Sequence, residues 1–199
     1  MKFGFIPTEG GHYFPAFLEE VRRGEELGFE SVWLEEHHGV KNHYWPSPLV
    51  ALAGAATQTE RILFGTDIIV MPFYHPVRVA EDAAMLDIMS NGRFILGAAI
   101  GYKPDEFALY QVPLEMRGAR FEEAVQLIKQ LWTEEEVNFS GKYYQVEGLK
   151  IEPRPLDGSA ACEIGQRGPY DGFRVDPLPR DAFPGHGHHA LDGIRPVQE

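Results

Sequence analysis

The chain has 199 residues, of which 44% are hydrophobic, and this is enough apolar material for one sizeable core. Its 18 basic residues against 30 acidic ones give a net charge of −12, which disfavours nucleic-acid binding and polybasic attachment to a membrane. The single cysteine, Cys162, excludes an internal disulfide and any multi-cysteine metal cluster. Since the sequence has no long apolar stretch and only a short apolar run at its start, we expect a soluble, cytoplasmic protein.

Residues 1–154 alternate between apolar strands and amphipathic helices. The pattern predicts strands over 2–7, 31–35, 62–70 and 93–98, and helices over 14–27, 48–59 and 75–91. It then predicts a short helix over 104–110, a long helix over 116–132 and a polar hairpin over 137–148. Pro48 after Ser47 is typical of a helix start, and Gly28 is typical of the position after a helix end. Four consecutive βα units favour parallel strands covered by helices.

Two architectures fit this order, a doubly wound sheet and a (β/α)₈ barrel. The glycine-rich nucleotide fingerprint of the first is missing, because Gly10-Gly11 after the first strand has the wrong spacing. A full barrel normally needs about 200 residues or more. The sequence therefore predicts an α/β fold, the first half of a (β/α)₈ barrel.

The composition changes near Pro155. Seven glycines and six prolines fall within residues 155–199, a density that breaks both helices and strands. We therefore divide the chain into a partial barrel over 1–154 and an irregular tail over 155–199, with at most a short strand at Cys162–Ile164. The tail is typical of a truncated or frame-shifted terminus.

The second predicted strand leads directly into Glu35-Glu36-His37-His38. Ligands of parallel α/β folds bind at the carboxyl ends of the strands, so two carboxylates and two imidazoles are well placed there for acid–base chemistry. A solvated turn with a structural histidine explains the same pattern. A metal site would need further ligands such as His12, His43 or His75, and no HExxH-type spacing supports one.

Three further features have both a functional and a structural interpretation. Asp67 interrupts an apolar strand, and it either lies in a site or caps backbone amides. The small residues over 97–101 either admit a planar ligand or pack a helix tightly. Arg117 and Arg120 open the long helix, and they either bind phosphate or pair with neighbouring glutamates.

Over about residues 1–154, the order and spacing of the motifs resemble the bacterial luciferase-like flavin monooxygenase family. The segments that carry the resemblance are Leu27-Gly28-Phe29, Trp33-Leu34-Glu35-Glu36-His37-His38, Gly65-Thr66, Pro72-Phe73-Tyr74-His75-Pro76, Ala80-Glu81-Asp82, Leu86-Asp87, Ser90-Asn91-Gly92-Arg93, Glu106-Phe107 and Arg120. The resemblance implies a (β/α)₈ barrel that binds a flavin at its carboxyl-terminal mouth.

The resemblance also implies roles for individual residues. His37 matches the active-site histidine near the reactive edge of the flavin. Thr66 and Asp67–Ile68 match the cofactor-binding strand end, with a non-prolyl cis peptide between Asp67 and Ile68 under the flavin ring. Ala99 falls where luciferase itself has a reactive cysteine, and Arg120 matches an arginine on the flavin-phosphate side. Because Ile100 replaces a phosphate-binding arginine of luciferase, we expect a non-luminescent relative.

By this resemblance the chain is an oxidoreductase in which reduced FMN and O₂ insert one oxygen into a small organic substrate. A separate flavin reductase and a homodimer, formed through the alanine-rich helices at 48–59 and 76–89, are the implied partners. One alternative is hydride transfer with a 5-deazaflavin coenzyme, and another is an inactive truncated fragment. A metal-dependent hydrolase is a third interpretation of the histidines.

Overall fold

The computed structural model of the protein describes residues 3–8, 13–41 and 44–156. The strands are β1 (Gly4–Phe5), β2 (Ser31–Leu34), β3 (Leu63–Thr66), β4 (Ile69–Val70), β5 (Phe94–Ile95), β6 (Ala98–Ala99), β7 (Val137–Ser140) and β8 (Gln145–Leu149). The α-helices are α1 (Phe14–Glu26), α2 (Pro48–Ala56), α3 (Pro76–Ser90), α4 (Pro104–Leu109) and α5 (Arg117–Thr133). Cys162–Ile164 and nearly all of the predicted tail lie outside the described residues.

Four parallel strands form the main sheet in the order β1-β2-β3-β5. Helices α1, α2 and α3 connect these strands in turn, so the predicted βα alternation is confirmed. The second parallel pair, β4 with β6, continues the third and fourth strands beyond a break. The predicted hairpin is confirmed as the antiparallel pair β7–β8.

The third and fourth strands are each split, whereas the sequence predicted continuous strands over 62–70 and 93–98. The hydroxyl of Thr66 donates to the carbonyl of Gly97 at 2.7 Å and accepts from its amide at 2.9 Å, so a side chain replaces the backbone ladder there. A Cβ at Gly97 would lie 1.9 Å from the carbonyl oxygen of Thr66. This close approach therefore requires glycine, and strand periodicity gives no sign of the break.

The two faces of the main sheet differ in burial. On the helix side, the register partners Val32, Phe64 and Phe94 are at most 1% exposed. On the opposite side, Trp33 lies over Gly65, where a Cβ would be 2.1 Å from the indole ring. The neighbours of Trp33 on this side, Ser31, Leu63 and Ile95, are only partly buried. The described residues therefore cover one face of a parallel sheet, a type of sheet that is normally buried on both.

The alanine-rich faces of α2 and α3 are buried inside this chain. Ala55 and Ala83 are fully buried, and the two helices pack against each other. The close packing that these alanines predicted between two copies therefore occurs within one copy, and homodimerisation stays a prediction. None of the helices in the described part of the chain is long and apolar enough to cross a membrane.

Arg93, from the Ser-Asn-Gly-Arg motif, ties the ends of three elements together. Its buried guanidinium donates to the carbonyls of Ser90, Ala56, Thr59 and Ile62 and to the hydroxyl of Thr59, at distances of 2.5 to 3.1 Å. Burial lowers the pKa of this arginine, although nearby carboxylates act in the opposite sense. Its role is to join α2 and α3 to the start of β3.

Candidate functional site

The carboxyl ends of the central strands meet at one edge of the sheet. The amide of Asp67 donates to the carbonyl of Leu34 at 2.7 Å, which ties the end of β3 to the end of β2. The carboxylate of Glu36 accepts from the amide of Val70, and Val70 pairs with Ala99. The Glu-Glu-His-His segment, the Asp67–Ile68 peptide and Ala99 therefore lie around one point of the fold.

A buried carboxylate holds His37. The Nδ1 atom of His37 lies 2.9 Å from Oε1 of Glu106 in α4, and the amide of His38 donates to the same oxygen at 3.1 Å. Because an ionised carboxylate only accepts, Nδ1 carries the proton and Nε2 is left as the reactive nitrogen. The side chain of His37 is 14% exposed, whereas that of Glu106 is 6% exposed. The pair can move a proton between His37 and a bound ligand.

The second histidine of the motif has both ring nitrogens engaged. The Nε2 atom of His38 lies 2.7 Å from Oε1 of Glu36, so it carries the proton. Its Nδ1 atom then accepts from the hydroxyl of Tyr110, 2.9 Å away. Glu36 also accepts from the hydroxyl of Tyr74 and is fully buried. His38 thus links the strand end to α4 and has no ring nitrogen left for chemistry.

The two tyrosines of this network stay protonated. Burial raises the pKa of Tyr74, and the adjacent Glu36 carboxylate raises it further. Burial likewise raises the pKa of Tyr110, with Glu36 and Glu106 acting in the same direction. Both phenols therefore remain hydrogen-bond donors near neutral pH and satisfy the buried acceptors.

Lys103 brings a cation to His37. Its Nζ atom lies 3.0 Å from Nδ1 and 3.5 Å from Nε2 of the imidazole, and 3.9 Å from Oε1 of Glu106. The ammonium lies over the rings of Tyr44 and Tyr102, with centroids 5.9 and 5.8 Å away. The ring of Tyr44 also packs edge-on against His37, at a centroid distance of 4.4 Å.

The predicted ring-binding residues lie at the strand ends, but they are used in different ways. The peptide between Asp67 and Ile68 is cis, as the resemblance implied. Asp67 and Ile68 are partly buried, and Ala99 is 5% exposed. The hydroxyl of Thr66 is committed to Gly97, so only its backbone remains for a ligand. Small, partly open strand ends next to an imidazole fit the edge of a planar ring.

Arg120 lies with the hairpin. Its guanidinium is over the rings of Tyr143 and Tyr144, with centroids 5.7 and 5.2 Å away. Tyr144 in turn packs edge-on against His75 at the start of α3. The neighbouring Arg117 donates to the carbonyl of Leu114. These contacts place Arg120 at the hairpin, and phosphate binding by this residue stays a prediction.

The metal-dependent hydrolase that the histidines left open would need a cluster of metal-ligating side chains. Within residues 3–8, 13–41 and 44–156, no three His, Cys, Asp or Glu side chains are grouped so that they could hold an ion. His75 instead caps α3, where Nδ1 accepts from the amide of Val77 at 3.3 Å. His12 and His43, the other candidates, lie outside the described residues.

Sequence reasoning missed Glu106 as a site residue and did not single out Lys103 or Tyr110. Lys103 and Glu106 flank the start of α4, directly after the fourth strand, and this position was the available signal. A carboxylate in the first turn of a helix is also favoured by the helix dipole, so its presence in the sequence does not by itself indicate a site residue. Glu106 is identified as a site residue only because α4 approaches the Glu-Glu-His-His segment.

A family model described as luciferase-like monooxygenase matches residues 2–164, which extends beyond the predicted limit at residue 154. An F420-dependent glucose-6-phosphate dehydrogenase of Amycolatopsis mediterranei is 36% identical over 145 residues, 69% of this chain and 44% of that protein. The oxygenase component of a flavin-dependent trigonelline monooxygenase of Acinetobacter baylyi is 33% identical, over 72% of this chain and 40% of that protein.

The crystal structure of a monooxygenase from Streptomyces bottropensis superposes with a TM-score of 0.78 at 31% identity. The match covers 83% of this chain and 53% of that structure. The chain thus spans about half the length of the relatives it matches. The predicted fold class, the first half of a luciferase-like barrel, is confirmed.

Proposed function

This chain belongs to the luciferase-like monooxygenase family, and we propose that it acts in a flavin-dependent monooxygenase reaction. Reduced FMN, when bound, supplies the electrons with which O₂ transfers one oxygen atom to a small organic substrate. Two monooxygenases more than 30% identical to this chain, from Acinetobacter baylyi and Streptomyces bottropensis, support this reaction class. Because the chain spans about half of each, the activity of a whole protein is part of the proposal.

The observation that carries the proposal is the pairing of His37 with Glu106. Glu106 fixes the ring of His37 and places the proton on Nδ1, so Nε2 can accept a proton from the substrate or return one to the product. His37 is partly exposed at a strand end, where a ligand of this fold class binds. A positioned acid–base group contributes about 10² to 10⁴ in rate.

The described residues fit the flavin ring better than its phosphate. Asp67, Ile68 and Ala99 would line the ring, and His37 would face its reactive edge. Arg120 was the predicted phosphate ligand, but its guanidinium lies over two tyrosine rings of the hairpin. Phosphate in such barrels is held largely by the late βα loops and a helix N-terminus. We therefore propose that ring contacts dominate FMN binding by these residues.

The test is a titration of the full chain with FMN, followed by flavin fluorescence and by the imidazole NMR signals. We expect FMN to shift the His37 signals, and we expect His37→Ala to remove that response with little change in affinity. His75→Ala is the matched control, since His75 lies at the start of α3 and packs against Tyr144 of the hairpin. Failure of millimolar FMN to perturb His37 would contradict the proposal.

The reaction class is tested with reduced FMN, regenerated by NADH and a flavin reductase, under isotopically labelled O₂. We expect labelled oxygen in the product of one member of a panel of ketones, aldehydes and cyclic alkenes. Labelled product that forms equally without the chain would remove the monooxygenase assignment. A separate reductase is part of this proposal, because the Acinetobacter relative is named as an oxygenase component.

Hydride transfer with a 5-deazaflavin coenzyme is the second candidate. The F420-dependent glucose-6-phosphate dehydrogenase relative, at 36% identity, specifically favours it. The same His37–Glu106 pair would then take the proton of an alcohol as its hydride leaves. Parallel titrations with FMN and with the deazaflavin coenzyme discriminate the two reactions, since hydride transfer requires tighter binding of the deazaflavin than of FMN.

A further inference from the structure

Lys103 places a positive charge at the mouth of the site, in a chain whose net charge is −12. The side chain of Lys103 is 31% exposed, so a ligand from solvent can reach it. Its Nζ atom is 5.9 and 5.8 Å from the ring centroids of Tyr44 and Tyr102 and 3.0 Å from Nδ1 of His37. Neither the family match nor the monooxygenase reaction assigns a role to this cation.

The ammonium of Lys103 has more N–H donors than the described side chains around it have acceptors for them. Nδ1 of His37 lies within hydrogen-bond distance of both Glu106 and Lys103, but it cannot donate to one and accept from the other. An ionised carboxylate has no proton to give, so the hydrogen bond between Glu106 and His37 forms only with the proton on Nδ1. The Glu106 oxygen is 3.9 Å from Nζ, too far for a hydrogen bond. With Nδ1 protonated, Nε2 of His37 is the remaining acceptor within reach among the described side chains, at 3.5 Å, so two of the three ammonium donors are left for a ligand.

The surroundings of Lys103 select the kind of anion. Two aromatic rings beside the ammonium favour a planar, apolar body attached to the charged group. The neighbouring Glu106 carboxylate repels a dianion more than a monoanion. A phosphate ester normally needs several cations or backbone donors, whereas a carboxylate can be held by one ammonium.

We propose that Lys103, with Tyr44 and Tyr102, forms a subsite for the carboxylate of a small planar organic acid beside the imidazole of His37. This names the substrate class of the same site, and it rests on the proposed function for its catalytic meaning. Nε2 carries a lone pair and cannot donate to a carboxylate, so the acid is held by Nζ, and the 3.5 Å between Nζ and Nε2 places it beside the imidazole. The acid's carbon skeleton then lies along the two tyrosine rings.

The experiment compares benzoate with benzamide, its neutral isostere, on the full chain. Binding is followed by the shift of the His37 imidazole NMR signals. We expect benzoate to bind at least about tenfold more tightly than benzamide. Lys103→Met should abolish that preference, and Lys103→Arg should retain most of it. Lys150→Met, which removes a lysine paired with Glu136 on the hairpin, should leave it unchanged.

Equal binding of benzoate and benzamide to the unmodified chain would overturn the subsite, whatever the variants do. A benzoate preference that survives in Lys103→Met would overturn the assignment to Lys103. Titration of FMN into the same samples separates this inference from the proposed function. Benzoate preference without FMN binding refutes the flavin reaction alone, and FMN binding without benzoate preference refutes the subsite alone.

Discussion

Nδ1 of His37 and Oε1 of Glu106 are 2.9 Å apart although 69 positions separate the two residues in the chain. One comes from the end of β2 and the other from α4, and the buried carboxylate also accepts the amide of His38. This contact fixes both the orientation and the tautomer of the imidazole. The first prediction therefore concerns the pair rather than the histidine alone.

Replacing His37 by alanine should lower turnover by about 100-fold or more, because the acid–base group is lost. Glu106→Gln should lower it by about tenfold or more, since the amide no longer favours a proton on Nδ1. Because Glu106 acts through His37, adding Glu106→Gln to His37→Ala should cost little further. Steady-state kinetics of the two single variants and the double variant measure this. Full additivity would show that Glu106 has a separate role.

His38→Ala should chiefly reduce stability. The buried Glu36 carboxylate loses its Nε2 donor, and Tyr110 loses its acceptor, so we expect about 1–3 kcal/mol less free energy of unfolding. Turnover per folded molecule should fall less than in His37→Ala. Urea unfolding measured beside the kinetics checks the order, and a stable but inactive His38→Ala protein would contradict it.

Glu25 should make the fold sensitive to acid. Burial raises the pKa of its carboxyl, but the amides of Ile62, Arg61 and Glu60 donate to it and lower the pKa below its usual 4.5 overall. A lowered folded-state pKa means that the stabilisation is fully present above about pH 4.5 and is lost as the pH falls through the folded value.

Unfolding of Glu25→Gln therefore tests the carboxylate. The variant should lose about 1–2 kcal/mol near neutral pH, and the difference from the unmodified chain should shrink in acid. Glu26→Gln is the matched control, because Glu26 makes only an exposed pair with Arg23 and should change stability by less than about 0.5 kcal/mol. A difference that grows in acid would be the wrong sign.

Arg93→Lys should destabilise the chain by about 2 kcal/mol or more. An ammonium has three donors and no planar fork, so it cannot serve the carbonyls that the guanidinium joins. Arg78→Lys on the exposed side of α3 is the control, with an expected change below about 0.5 kcal/mol. Equal unfolding midpoints for the two variants would show that these buried bonds add little.

FMN should bind this chain weakly, with a dissociation constant at or above about 100 μM. In the proposed site the described residues would contact the flavin ring, while the one predicted phosphate ligand, Arg120, lies over the hairpin tyrosines. Equilibrium titration gives the constant, and gel filtration gives a simple check. A protein that stays yellow through the column would show that residues 157–199 or a partner chain complete the phosphate site.

Much of the fold follows from local pattern. Alternating hydrophobic periods predicted the βα order, and Gly28, with a φ of +85°, follows α1 as expected. The position of the His37 motif at a strand end was likewise predicted from the pattern, and the cis peptide at Asp67–Ile68 was predicted by family resemblance. Periodicity and turn residues depend on neighbours in the chain, so one sequence is enough to predict them, whereas the cis peptide was predicted only through the family resemblance.

The tertiary structure alone decided how the site residues are partnered. The sequence could not distinguish His37 from His38 by pattern, yet the approach of α4 leaves Nε2 of His37 unprotonated and engages both ring nitrogens of His38. The break at Thr66 and Gly97 and the place of Arg120 also depend on contacts between distant segments. Hydrogen bonds between segments that are distant in the chain depend on how helices and strands pack in three dimensions. The periodicity of residues along the chain predicts each element but not that packing.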